Sequence, residues 1–209
     1  MLLAFDTATP HVTVALHDGE RVVATYSSDE SMRHGEMLAP GIAAVLEQAG
    51  ANSRDLTAVA VGVGPGPFTG LRVGLVTART MAMALKIPVY GVCSLDILAA
   101  DAIDAGLTDF AVATDARRKE VYLASYLDGA RVSGPEVIKP ADAATGMIVV
   151  GRGAVLYPEA FPNAAEPEHP SAATLCDVVV RERFERLEPD PLYLRRPDAM
   201  EPQKAKRVS

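Results

Sequence analysis

Apolar and polar positions alternate along the start of the chain in the way that half-buried strands require. Residues 2–7 are a nearly continuous apolar run that ends in an Asp-Thr pair, which predicts a buried strand. Residues 11–28 alternate on both sides of an Asp-Gly pair, a turn signal typical of a β-hairpin. We therefore expect the chain to open with three strands joined by tight turns.

After the hairpin the pattern alternates between helix and strand. Apolar side chains recur at helical spacing from about residue 32 to Gly50, and Pro40 inside this stretch predicts a kink or a helix start nearby. There follow a strand at 55–64, a helix with Thr69 as its N-cap that reaches about Lys86, a strand at 88–94, and a helix capped by Ser94 that reaches about Ala105. This order predicts an α/β lobe with a mixed sheet covered by helices, the layout of a ribonuclease-H-like lobe.

The pattern restarts after Gly106. Two alternating strands surround a charged turn at 109–129, two short strands follow, and an amphipathic helix with Ser171 as N-cap is expected at 171–187. We predict an N-terminal lobe of residues 1–106 and a smaller lobe of residues 107–195, whose last helix packs back on the first lobe. Residues 196–209 are expected to form a polar tail.

Composition narrows the classes of function. Of the 209 residues, 49% are apolar but only 5% are aromatic, so the core must be built from Val, Leu, Ala, Met and Ile. The net charge of −7 argues against strong binding of nucleic acid by the chain alone, although a partner could supply a positive surface. Cys93 and Cys176 form no disulfide framework, and neither a signal peptide nor a membrane span is evident, which together predict a cytoplasmic protein.

The glycine-rich stretch at 61–72 follows a predicted strand and precedes a predicted helix, as phosphate-binding loops do. It lacks the Lys of a Walker loop and the glycine register of a dinucleotide loop. Pro65 and Pro67 also remove two backbone donors. We therefore favour a rigid strand-to-helix turn, with phosphate binding as the alternative.

The helix after this loop carries a stripe of small residues. Gly70, Gly74, Ala78 and Ala82 are spaced four apart and share one helix face. Glycine inside a helix costs about 1 kcal/mol relative to alanine, so Gly74 predicts close approach of another element. That neighbour is the helix at 37–49 of this chain, a partner protein, or both.

Other candidates for chemistry are isolated. Asp6, at the end of the first strand, could hold Mg²⁺ through water or merely cap a turn. A second metal ligand four residues after His34 is missing, because that position is Leu38. Cys93 has no evident histidine partner, and the Arg-Arg-Lys run at 117–119 is typical of a solvated hairpin tip, with phosphate contact as the alternative.

The ordered motifs of the whole chain resemble those of the bacterial TsaB (YeaZ) family. They are AFDTAT, RHGEMLAP, VGVGPGPFTGLRVG, GVCSLD, TDARRKEVY, EHPSA and PLYLR, and they run from residue 3 to about residue 195. The resemblance implies an ASKHA-type fold with two ribonuclease-H-like lobes, as in actin, hexokinase and Hsp70. It also implies a role in making threonylcarbamoyladenosine next to the anticodon of tRNAs that read codons beginning with A.

The same resemblance implies a division of labour. The paralogous partner TsaD, with a metal-binding H-x-x-x-H, performs the transfer; TsaB is a non-catalytic dimerisation subunit, and the ATPase TsaE joins them. It implies that the first two helices bind TsaD, or a second TsaB copy when TsaD is absent, and that tRNA is met only through the complex. We expect no intrinsic cofactor, and ATP or ADP only at the complex interface.

On these grounds we name two sets of residues. The expected partner interface is Met37, Leu38, Gly41, Ile42, Val45, Gly70, Leu71, Gly74, Ala78, Met81 and Ala82. The candidates for a vestigial nucleotide site are Asp6, Thr7, Gly64, Gly66 and Asp115. Two alternatives remain: an active ASKHA-fold ATPase or phosphotransferase that uses Asp6 and Asp115, and a peptidase, for which no nucleophile or metal pair is evident.

Overall fold

The first lobe is built on a five-stranded mixed sheet. The computed structural model describes residues 1–28 and 34–195, with the backbone alone for His34. The strands are β1 (Leu2–Asp6), β2 (Val12–His17), β3 (Val22–Ser28), β4 (Ala58–Gly64) and β5 (Val89–Cys93). Their order across the sheet is β3-β2-β1-β4-β5, with antiparallel pairing among the first three and parallel pairing among β1, β4 and β5.

Helices cover both faces of this sheet because its central strands are apolar on both sides. The helices of the chain are α1 (His34–Gln48), α2 (Phe68–Leu85), α3 (Ser94–Asp104), α4 (Arg152–Leu156) and α5 (Ala172–Val180). Alternate residues such as Leu3 and Phe5 point into the core shared with α1 and α2. Their neighbours Leu2 and Ala4 point into the core shared with α3 and α5.

The second lobe repeats the topology of the first. Its strands are β6 (Phe110–Asp115), β7 (Val121–Leu127), β8 (Ala130–Ile138), β9 (Ile148–Val150) and β10 (Ala164–Ala165). The order β8-β7-β6-β9-β10 matches that of the first sheet, again with an antiparallel meander followed by parallel strands. The prediction of two ribonuclease-H-like lobes is therefore confirmed. Among the described residues no helix is long and apolar enough to span a membrane.

Several predicted helix ends were wrong. Thr69 does not cap α2, because the helix begins one residue earlier at Phe68 and Pro67 occupies the N-cap position. Ser94 does not cap α3, because Cys93 takes that place and the Ser94 hydroxyl bonds elsewhere. The predicted start of the first helix at residues 32–33 and the tail at 196–209 lie outside the described residues.

The last helix is also shorter than predicted. It ends at Val180 instead of about Leu187, and Ser171 stands at the N-cap position without a side-chain capping bond. The chain then turns, and Leu187 exchanges two backbone hydrogen bonds of 2.9 and 2.8 Å with Gly91 at the edge of β5. The helix α5 packs on β1 and β2 of the first lobe.

A buried polar cluster joins the two lobes. The Tyr126 hydroxyl of β7 donates a hydrogen bond of 2.7 Å to the Asp96 carboxylate of α3, and Arg131 of β8 lies 3.5 Å from the same carboxylate oxygen. Burial raises the pKa of Asp96, and the Tyr126 hydrogen bond and the Arg131 charge oppose that rise. The cluster thus keeps a carboxylate that is 1% exposed within reach of two donors.

We expect Tyr126→Phe to lower the free energy of unfolding by about 1.5–3 kcal/mol at pH 7, because it removes a hydrogen bond to a buried charged group. A raised folded-state pKa means that stability falls as pH rises from the unfolded-state pKa through the folded-state pKa. Losing the donor raises the pKa of Asp96 further, so the stability gap between variant and wild type should narrow in acid. Urea titrations at neutral and acid pH measure this, with Tyr157→Phe as the control. A gap that widens in acid would contradict it.

Candidate functional site

The carboxylate of Asp6 is sealed inside the first lobe. It is 0% exposed, accepts a hydrogen bond of 2.7 Å from the Ala8 amide, and accepts one of 2.6 Å from the Ser94 hydroxyl. A Cβ built at Gly62 would lie 1.7 Å from the Asp6 Oδ2 atom, so the β4 backbone covers the carboxylate directly. The Ser94 oxygen in turn accepts the Gly64 amide at 3.2 Å. The Asp6 carboxylate thus caps the turn after β1 and ties that turn to β4 and α3.

The glycine-rich loop packs against the turn after β1. The Thr7 hydroxyl donates to the Gly70 carbonyl oxygen at 2.8 Å, which ties the end of β1 to the first turn of α2. A Cβ at Gly66 would lie 2.2 Å from the Ala8 carbonyl oxygen, and Gly64 has a φ of +97°. The glycines therefore permit close backbone contact and a left-handed residue, which accounts for them without a phosphate.

Asp115 lies elsewhere, in a cleft between the lobes of about 450 Å³. Its carboxylate accepts the Arg117 amide at 2.8 Å and lies 3.4 Å from the Arg117 guanidinium. The same cleft is lined by Arg152, which pairs with Glu168 at 2.6 Å, and by His11. Asp6 is absent from this lining, so the two carboxylates that an ATPase would need do not share the cleft. Among the described residues no group of three potential ligands is placed to hold a metal.

Most of the expected interface residues face inward in this chain, and the partner interface itself stays a prediction. Nine of the eleven are buried in this chain, namely Leu38, Gly41, Ile42, Val45, Gly70, Leu71, Gly74, Ala78 and Ala82. The close approach that the small stripe predicted is to the protein's own sheet. A Cβ atom built at Gly74 would lie 2.4 Å from Thr7 Oγ1, and one built at Gly41 would lie 2.6 Å from the Tyr26 ring. Both positions therefore require glycine. Only Met37 and Met81 are partly exposed.

The opposite side of α2 is exposed and mixes polar residues with two large apolar ones. Val76 is 61% exposed and Met83 is 77% exposed, and the two lie two helical turns apart. On the neighbouring helix α1, Pro40 and Ala43 are exposed as well. We call these four residues the outer α1–α2 face. In the sequence, this face is marked by the two large apolar residues of α2 that lie opposite the small-residue stripe. Because the stripe packs on the sheet, the opposite side of α2 faces outward.

Comparisons with known proteins agree with this architecture. The family model described as "TsaD: tRNA N6-adenosine threonylcarbamoyltransferase" matches residues 27–156. An uncharacterised protein of Mycobacterium tuberculosis is 45% identical over 207 residues, which cover 95% of this chain and 93% of that protein. The Escherichia coli "tRNA threonylcarbamoyladenosine biosynthesis protein TsaB" is 36% identical over 126 residues, 60% of this chain and 54% of that protein. The structure of YeaZ from Pseudomonas aeruginosa superposes with a TM-score of 0.76 at 32% identity, covering 92% of this chain and 99% of that one.

Two lobes of identical strand order with a cleft between them define a protein of the ASKHA class, the fold of actin and hexokinase. Within that class, the match to YeaZ extends over nearly the whole of both chains. The chain belongs to the TsaB (YeaZ) family.

Proposed function

We propose that this chain is the non-catalytic scaffold subunit of a tRNA threonylcarbamoyladenosine transferase complex. The names of its TsaB relatives support the pathway. The observation that carries the scaffold role is the placement of Asp6. Its carboxylate is enclosed by Ser94, Ala8 and Gly62, and it does not line the cleft that Asp115 lines. A catalytic ASKHA site requires acidic groups that reach a metal-bound phosphate.

The proposed partner is TsaD, bound through the outer α1–α2 face. Val76 and Met83 are two large apolar side chains exposed on one helix face, with Arg79 and Thr80 beside them. Exposed apolar surface rimmed by polar residues is typical of a protein–protein interaction site. Methionine suits such a surface because its flexible side chain adapts to the shape of a partner. In the absence of TsaD the same face would pair two copies of this chain, and TsaE would join the complex with TsaD. Leu38, at the position where a second histidine ligand would stand, is 1% exposed and belongs to the core.

Reconstitution tests this proposal. TsaD, TsaE, the enzyme that forms the threonylcarbamoyl adenylate, ATP and unmodified tRNA are combined with and without this chain, and modified adenosine is measured by mass spectrometry. We expect modification only when the chain is present, and ATP turnover at background when the chain is alone. Equal modification without the chain, or Mg²⁺-dependent ATP hydrolysis by the chain alone, would contradict the proposal.

A further inference from the structure

A second cavity, of about 470 Å³, opens where the start of α2, the β6–β7 hairpin and the segment at 193–195 meet. Three arginines line it, Arg117, Arg118 and Arg195, and no carboxylate is among its described lining residues. Phe68 and Tyr193 form part of its wall. We call this site the arginine–aromatic cradle. Three arginines thus meet at one cavity of a chain whose net charge is −7, and carboxylates outside the lining pair with two of them.

Two of the three arginines of the cradle, Arg117 and Arg195, are held in place by the protein. Arg195 forms an ion pair with Glu120 and donates to the Ala116 carbonyl oxygen at 3.1 Å. Arg117 is tied through both its amide and its guanidinium to Asp115. The groups that would meet an anion are therefore positioned before it arrives, which lowers the entropy cost of binding.

The hairpin tip that carries two of these arginines is strained. Arg117, Arg118 and Lys119 have φ values of 62°, 54° and 61°, three consecutive non-glycine residues in the left-handed region. Each such residue costs about 1–2 kcal/mol relative to a right-handed conformation. Strain of this kind persists where the surrounding contacts fix it, and it tends to occur at functional sites. Here it presents three successive cationic side chains on one tight turn.

The aromatic wall is a stack of planar groups. The rings of Phe68 and Tyr193 lie 4.8 Å apart at an angle of 22°, and the Arg72 guanidinium lies 3.6 Å from the Phe68 ring centroid. Tyr193 remains 39% exposed. Proteins that bind single-stranded nucleic acid combine such aromatic surfaces, on which bases stack, with cations that follow the phosphates.

We propose that the arginine–aromatic cradle binds a short phosphodiester segment of single-stranded RNA, with a base stacked at Tyr193. The choice of RNA rests on the proposed function, which brings this chain to a tRNA substrate. Arg117, Arg118 and Arg195 contact successive phosphates. Because the rest of the chain is acidic, the affinity of the isolated chain is modest and depends on low salt.

The experiment measures binding of a fluorescent single-stranded RNA of about 12 nucleotides to the full chain by anisotropy over a range of salt concentrations. We expect log K to fall with log salt with a slope of about −2, the value for three phosphate contacts on a single strand. Arg118→Glu should weaken binding about tenfold or more and make that slope shallower by about 1. Tyr193→Ala should weaken binding without changing the slope. The matched control is Arg54→Glu, at an exposed arginine that precedes β4, whereas the Phe68 wall of the cradle follows β4. This variant should bind at most slightly less tightly than wild type.

Three results would overturn the proposal: no RNA binding at low salt, equal losses in Arg118→Glu and Arg54→Glu, or binding of ADP with none of RNA. Circular dichroism of each variant establishes that it is folded. Because the isolated chain is used, the outcome is separate from the reconstitution. If the chain binds RNA but does not support tRNA modification in the reconstitution, only the proposed function is contradicted. If it supports modification but does not bind RNA, only the proposed RNA site is contradicted.

Discussion

Replacing Gly74 by leucine should destroy the fold of the first lobe instead of an intersubunit contact. A Cβ at Gly74 would lie 2.4 Å from Thr7 Oγ1 and 3.7 Å from the Val61 side chain, and the rest of the leucine would have to enter the packed sheet. Thr7 cannot move aside without losing its hydrogen bond to the Gly70 carbonyl oxygen. We expect the free energy of unfolding to fall by about 3 kcal/mol or more, the sum of overpacking and a broken buried hydrogen bond. Thermal unfolding and the yield of soluble protein measure this.

The matched control places the same residue two positions further along the helix. Val76→Leu alters a side chain that is 61% exposed, so its unfolding temperature should stay close to that of wild type. Gly74→Ala should give a smaller loss than leucine, since the gain of about 1 kcal/mol in helix propensity partly offsets the contact with Thr7. If Gly74→Leu folded as stably as wild type but no longer bound TsaD, the inward orientation of the small stripe would be wrong.

The second large effect is expected on the outer α1–α2 face. The double variant Val76→Glu with Met83→Glu places two carboxylates where we propose that TsaD packs. Burying an unpaired charge costs several kcal/mol, so we expect association with TsaD to weaken about 100-fold or more. The fold should be unaffected, because both side chains already face solvent. Analytical ultracentrifugation or calorimetry with purified TsaD measures the change.

A control for added charge is available on the second lobe. Val132 of β8 is 55% exposed, and Val132→Glu should leave the association with TsaD unchanged. Self-association of this chain should weaken in the double variant as well, because the same face is proposed for both pairings. Wild-type affinity in the double variant would show that TsaD binds elsewhere.

The architecture could be predicted from the chain because its signals are local. Each lobe is indicated by alternating strands, tight turns and helices at regular intervals, and none of these signals depends on a long-range contact. The N-cap of α2 lies two residues before the predicted one, at Pro67 instead of Thr69. The helix ends one residue before the predicted Lys86, because Lys86 takes the left-handed conformation. Local patterns do not show which side chains form hydrogen bonds with distant parts of the chain. Ser94 had the residue type of an N-cap, yet its hydroxyl serves Asp6, 88 residues away.

The small stripe of α2 is a local signal of the same kind. A stripe of small residues indicates that something approaches closely, but it does not say whether that element belongs to the same chain. Here Thr7 and Val61 fill the space above Gly74, and the Tyr26 ring fills the space above Gly41. The apolar spacing of Val180, Phe184 and Leu187 likewise predicts two more turns of α5, to about Leu187. In the structure Phe184 packs edge-on against Tyr126, and Leu187 pairs with β5.

The most direct test of the scaffold role is a titration of this chain into the reconstituted modification reaction, with wild type compared with Met83→Ala. If the chain only docks and positions the catalytic partner, the variant should raise the half-saturating concentration by about tenfold, the effect of truncating a well-packed interface residue. At saturation it should reach the same maximal rate, because the reacting groups belong to the partner. A maximal rate that falls while the half-saturating concentration stays the same would contradict the account, since it would mean that this chain contributes to the chemical step.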